Sequence, residues 1–166
     1  VYLVVPLIIF SVFLTANSKT PETTAKTVDW KQVNCLATNI YYEAGKESNE
    51  GKAAVARVVL NRVQHGFANT PCKVVYQTTY NKETETKTCQ FSWVCEGKGK
   101  INERDPRYQN SLHIAYNVLA YDMYKDVIPT TVLFFHNLSV KPQWPYQFAK
   151  QIGNHIFYSK VKKKRK

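Results

Sequence analysis

The sequence predicts an α+β domain, mainly helical, with a small antiparallel β-hairpin toward its C-terminal end. Three long segments repeat their apolar residues every three or four positions, the period of an amphipathic helix. Two later segments are β-branched and aromatic and carry a turn signal, the composition of paired strands. The 166 residues are 44% apolar and 21% charged, enough for one domain with a real core and too few for two enzymes. That balance excludes a wholly disordered chain, a collagen and a scaffold held by disulfides alone.

The first helix should run from Asp29, an N-cap residue, to about Gly45, on Trp30, Val33, Leu36, Ala37, Ile40 and Tyr41. A second begins after Ser48 and carries Ala53, Val55, Val58, Val59 and Val63 to Gly66. Residues 70–99 read mostly as loop: a short apolar run at Val74, Val75 and Tyr76, a polar insertion over residues 81–88, and the aromatics Phe91 and Trp93. Asp105-Pro106 opens the third helix, because proline is favoured at the first helical position and Leu112, Ile114, Ala115, Val118 and Leu119 follow. Residues 130–136 (TTVLFFH) and 156–158 (IFY), with the turn signal Gly153-Asn154, form the expected antiparallel pair.

Outside this body, residues 1–17 carry no charge, and residues 18–27 form a polar linker. The uncharged segment is shorter than the roughly 20 residues that span a bilayer and suits a secretory signal peptide or a short membrane anchor. Export to the periplasm or cell envelope is the expectation either way, with a folded domain over residues 28–159 and a basic tail over 160–166.

The net charge is +11, and six of the positive charges fall within the last seven positions. A tail of this kind is a solvated extension able to attract an anionic wall polymer or a membrane surface. The body shows no recognition helix or RNA-binding motif, so no specific nucleic acid is expected, and the domain is read as a monomer. The four cysteines, Cys35, Cys72, Cys89 and Cys95, lack the two-residue spacing of a zinc knuckle and suggest two disulfides in an oxidising compartment. Three pairings are possible; closing the short loop Cys89–Cys95 leaves Cys35 with Cys72.

Asn39, Glu43 and Glu47 lie four apart and share a face if the first helix continues through Gly45. Glu43 sits beside Tyr41 and Tyr42, where partial desolvation raises a carboxyl pKa toward the range of a general acid. A lone helical glutamate is otherwise an ordinary solvated group.

The strings at residues 35–48 (CLATNIYYEAGKES) and 50–63 (EGKAAVARVVLNRV) closely resemble the SleB-like cell-wall hydrolases. Residues 71–77, 89–97, 135–137, 142–144 and 152–158 follow in the family's order, so the resemblance covers residues 33–158. It implies a domain of the lysozyme-like superfamily acting on peptidoglycan glycan strands without metal or other cofactor. Glu43 matches the catalytic acid of a lytic transglycosylase, cutting between N-acetylmuramic acid and N-acetylglucosamine. Glu47 matches the family's second acid; it and Asn39 are read as possible catalytic or orienting residues, with an orienting role favoured for Glu47 over that of a second catalytic carboxyl. Gly45-Lys46 departs from the usual Arg-Gly, and Pro129-Thr130-Thr131 replaces a glycine-containing turn.

Sugar grooves pair aromatic faces with amides and hydroxyls, which makes Gln90, Phe91, Trp93, Asn137 and Trp144 groove candidates; His136 and His155 flank the hairpin and could bond into the site. Three other readings compete: a hydrolytic muramidase, a zinc amidase using His136 and His155 with Glu43 or a cysteine, and a wall-binding module without turnover.

Overall fold

The computed structural model describes residues 24–98 and 100–162. The segment at residues 1–17, most of the linker and the last four residues of the tail lie outside it. Among the described residues no helix is long and apolar enough to cross a membrane. In chain order the elements are α1 (Trp30–Ala44), α2 (Asn49–Gln64), α3 (Pro71–Val75), β1 (Thr78–Asn81), β2 (Thr86–Cys89), α4 (Ser92–Cys95), α5 (Pro106–Tyr121), β3 (Val132–Asn137), β4 (Tyr146–Ile152) and β5 (His155–Lys162).

All three long helices begin where a capping side chain meets an orphan amide. Asp29 accepts from Lys31 N at 2.8 Å, Ser48 from Gly51 N at 3.2 Å, and Asp105 from Arg107 N at 2.8 Å, with Pro106 at the first helical position. Helix α1 buries Val33, Leu36, Ala37 and Ile40 on one face. Helix α2 is different, because apolar or small residues surround it. Ala53, Ala56 and Val59 pack toward α1, α3 and α5, while Ala54, Val55 and Val58 pack toward the sheet with Ile128, Val132, Ile152 and Phe157. Burying each valine or larger side chain contributes about 1.5–3 kcal/mol, so the two apolar clusters that meet along α2 form the core of the domain.

Polar residues on α2 then bind the chain that leads from α5 into the sheet. Arg57 pairs with Asp122 at 2.5 Å and also donates to the Met123 carbonyl. Asn61 Nδ2 donates to the carbonyls of Pro129 and Val132 at 3.0 and 2.9 Å, and Arg62 Nε donates to the Leu133 carbonyl at 2.8 Å. These bonds fix the start of β3 against the helix and satisfy groups that would be costly to bury alone.

The sheet has the order β3-β5-β4, all antiparallel. The expected pairing of residues 130–136 with 156–158 is present as β3–β5, and Gly153-Asn154 is the turn before β5. The sheet is larger than the expected hairpin, since β4 forms within residues that carried no strand signal. The polar insertion read as loop also folds, with Thr78 opposite Cys89 and Asn81 opposite Thr86 in the β1–β2 ladder. Strand β5 continues to Lys162, into the segment read as tail, and the linker's Lys26 N donates to the Ala120 carbonyl at 2.8 Å.

Both disulfides have the expected pairing. Cys35–Cys72 joins α1 to α3 with Cα atoms 5.2 Å apart, and Cys89–Cys95 joins β2 to α4 at 5.8 Å. They close loops of very different length, with separations of 37 and 6 residues. On chain-entropy grounds, removing Cys35–Cys72 should cost about 4 kcal/mol and removing Cys89–Cys95 about 2 kcal/mol. Urea unfolding of the two paired-serine variants measures this, and the reverse order would contradict it.

Candidate active site

Glu43 occupies the last turn of α1, one residue before the helix stops at Ala44. Its half-buried side chain lines two recesses at once. One, of about 270 Å³, is walled by Arg62, Phe91 and Phe135 and edged by Gln90, His136 and His155. The other, of about 490 Å³, runs from Glu43 past Tyr42, Lys46 and Glu47 to Arg107 and Asn154. Asn137 also lines both. A further recess of about 410 Å³ shares Tyr42 and Lys98 with the second and is walled by Trp93, Tyr76 and Tyr108. The three follow one another around the C-terminal end of α1 and place the Glu43 carboxyl inside an extended cleft.

The surroundings of Glu43 hold its proton. Burial raises its pKa to about 7 and nearby Glu96 adds to the rise, while Arg62 and Lys98 pull against it. Among the described residues no hydrogen bond reaches this carboxyl, so its charge would be poorly compensated and it keeps its proton up to about pH 7. Tyr41, two residues before it, gives its hydroxyl proton to Asp105, whose Oδ2 accepts at 2.9 Å.

Glu47 has the opposite environment. Helix α1 does not continue through Gly45, so Glu47 leaves the shared face expected from its spacing and sits in the loop between α1 and α2. Partial burial alone would raise its pKa, but two bonds from Asn154 outweigh that and lower it. Asn154 N and Nδ2 donate to the two carboxylate oxygens at 3.2 and 3.0 Å. Gly153 permits this contact, since its φ of +54° suits glycine and a Cβ there would collide with Glu47 Oε2. Glu47 thus fastens the β4–β5 turn to the end of α1.

Asn39 lies away from the cleft. It is fully buried at 0% exposure, and its Oδ1 accepts from Trp93 Nε1 at 3.1 Å. It cannot touch a substrate, and it orients the indole instead. Trp93 stacks on Tyr42 with ring centres 4.7 Å apart and forms the wall of the third recess rather than of the Glu43 pocket.

Gln90, Phe91, Asn137, His136 and His155 do converge on Glu43. His136 Nδ1 donates to the Asn137 carbonyl at 2.8 Å, which leaves Nε2 to accept from the Tyr158 hydroxyl at 3.0 Å. His155 is buried against Phe135, and burial lowers its pKa despite the attraction of Glu47, so it is neutral. Trp144 stands apart: 39% exposed, it meets His136 edge-on on the face of the sheet that carries Tyr158 and does not wall the pocket.

Both nitrogens of His136 are engaged, and all four cysteines are in disulfides. Among the described residues no three His, Cys, Asp or Glu side chains are grouped to hold a metal. Arg62 is the site residue that sequence reasoning passed over. An arginine reads as a solvated face, yet it lies three and four positions after Val59 and Val58, on a side of α2 that is buried.

A protein-family profile described as cell wall hydrolase matches residues 46–158, beginning just after Glu43. The crystal structure of the catalytic domain of the Bacillus cereus SleB protein is similar in fold, with a TM-score of 0.54 at 20% identity, over 85% of this chain and 99% of that one. No curated protein matches the chain. The mixed fold with its small antiparallel sheet is thus that of the SleB catalytic domain, and on the match over most of its length the chain belongs to the cell wall hydrolase family.

Proposed function

We propose that this enzyme cuts the glycan strand of peptidoglycan between N-acetylmuramic acid and N-acetylglucosamine as a lytic transglycosylase, with Glu43 as its one reacting carboxyl. Its family makes it an enzyme of peptidoglycan breakdown. The observation that carries the finer reading is the half-buried Glu43 carboxyl at the junction of two recesses, its proton retained to about 7, with Glu47, the other carboxylate of those two recesses, tied down by Asn154.

In this mechanism neutral Glu43 gives its proton to the glycosidic oxygen as the bond from that oxygen to the muramic C1 breaks. The resulting carboxylate then takes the proton of the muramic 6-hydroxyl while O6 bonds to C1, closing a 1,6-anhydro ring. Proton and bonds balance with one carboxyl and no water. Glycosidases that use two carboxylates need both free to act, at about 5–5.5 Å for retention or 6.5–9.5 Å for inversion. Glu47, already accepting two hydrogen bonds, is better suited to hold the cleft wall. Phe91 and Phe135 offer ring faces to a sugar, and Gln90 and Asn137 offer amides to its hydroxyls. Export is part of the same proposal, because the two disulfides suit an oxidising compartment.

Glu43→Gln should fold normally and lose anhydro-muropeptide release by about 10²-fold or more, while Glu47→Gln keeps measurable activity. Mass spectrometry of digested peptidoglycan reads both variants. Reducing-end products from wild type would assign a hydrolytic muramidase, and free stem peptides an amidase.

The general acid must start protonated, so activity should fall as pH rises through about 7. Stability should follow the same sign. The folded chain binds the Glu43 proton more tightly than the unfolded chain, so this contribution is full below the unfolded pKa of about 4.3 and is lost as pH rises through about 7. Urea midpoints at pH 5 and pH 8 should show that drift in wild type and a smaller one in Glu43→Gln.

Gly153→Ala should break the Glu47–Asn154 contact and destabilise the domain by more than about 1 kcal/mol, measurable by thermal unfolding.

A further inference from the structure

Arg62 is a buried cation with an unusual set of neighbours. Only 4% of it is exposed, its Nε is committed to the Leu133 carbonyl, and its Nη1 has no hydrogen-bond partner. Its guanidinium carbon lies 5.2 Å from the Phe91 ring centre and 5.8 Å from those of Phe67 and Phe134. Among the described residues no carboxylate forms a salt bridge with it, and Glu43 is the acid that shares its pocket. The Nε bond anchors β3, but stability gives no reason for burying the unpartnered end of a guanidinium among three rings, which carries a desolvation cost.

We propose that Arg62 is a positioning residue for the acid-to-base reversal of Glu43: its caged guanidinium is the counter-charge that meets the carboxylate formed when Glu43 gives up its proton. This rests on Glu43 being the proton donor. The aromatic faces and one carbonyl hold the cation without neutralising it, so its charge stays available until the carboxylate appears. Dry surroundings strengthen that attraction at the moment of bond breaking.

Other groups are less suited to this part. On β3 and β5, His136 has both nitrogens occupied and His155 is kept neutral. After α4, Lys98 is 3.0 Å from Glu96, which offsets its charge. In the adjoining groove, Arg107 is paired with Asp105 at 2.5 Å, and Lys46 and Glu47 lie on the loop beyond the end of α1. The attraction of Arg62 is the largest influence opposing the burial of Glu43, and burial in turn lowers the arginine's own pKa to about 10, still well above neutrality.

The test is the titration of Glu43 itself, followed by carboxyl carbon NMR in protein labelled on glutamate, with the signal assigned by its loss in Glu43→Gln. Arg62→Met and Arg62→Gln should move the midpoint from about 7 to higher pH by at least about half a unit, and Arg62→Lys should leave it within a few tenths. The basic limb of the kcat profile should move the same way. At pH 5, kcat should fall several-fold in the Met and Gln variants with KM little changed, and Lys should restore much of it. An unmoved midpoint in folded Met and Gln variants overturns the proposal, and so does failure of both to fold, which would assign Arg62 to stability. Retained lysis by Glu43→Gln is a separate outcome: it sinks the assignment of Glu43 as proton donor whatever the Arg62 variants do.

Discussion

Helix α2 is enclosed on all sides, and every polar group it carries inward must be matched. Arg57, Asn61 and Arg62 meet most of that requirement with carbonyls strung along one stretch of chain, those of Met123, Pro129, Val132 and Leu133, while Arg57 Nε and Arg62 Nη1 find no partner among the described residues. The stretch joins α5 to β3, so satisfying the helix also sets the height and direction at which the sheet begins. Strand β3 then brings Phe135, His136 and Asn137 to the pocket of Glu43. The same bond that places the sheet removes Arg62 from water beside that carboxyl.

The opposite wall of the cleft depends on α1 and its neighbours. Cys35–Cys72 ties α1 to α3, and Cys89–Cys95 turns β2 into α4, which presents Phe91 and Trp93. Asn39 fixes Trp93 through its indole N–H, and Trp93 in turn supports Tyr42 by stacking. A residue one helical turn below Glu43 therefore shapes the cleft without entering it. The Glu47–Asn154 contact closes the third side by tying the sheet's last turn to the loop after α1. Helices, disulfide-held turns and sheet are each tied to one short segment around residue 43, which explains how a domain of this size keeps a partly desolvated carboxyl in an open cleft.

Much of this was legible in residue spacing. The three helices, their caps and the β3–β5 pair follow from periodicity, Asp or Ser caps and a β-branched run. Strand β4 was not legible, because Lys150 interrupts the alternation of Tyr146, Phe148 and Ile152, its register shifts twice, and its place comes from pairing with β5. The β1–β2 hairpin is exposed throughout and owes its form to backbone bonds and the adjacent disulfide. At the site, spacing put Asn39, Glu43 and Glu47 on one line. Three-dimensional packing separated them, since burial took Asn39 inward and the helix ended before Glu47. Arg62 was hidden by a general expectation about charge that its own position, in phase with Val58 and Val59, contradicts.

The cleft holds two glutamates four residues apart whose surroundings push them in opposite directions. Glu43 faces rings and meets no hydrogen-bond donor among the described residues, so its proton is held more tightly; Glu47 receives an amide and a backbone N–H, so the carboxylate is favoured. Such divergence separates an acid that can release a proton from one that remains charged. In a two-carboxylate glycosidase the charged member would be free to attack or to activate water. Here each of its oxygens accepts a bond from Asn154, which on the proposed reading makes it a brace for the turn. On the proposed mechanism the chemistry is that of a single proton given and taken back by Glu43, and what limits it is how well the intervening carboxylate is tolerated. The strongest attraction opposing its burial comes from the charge α2 buries in the same pocket, that of Arg62.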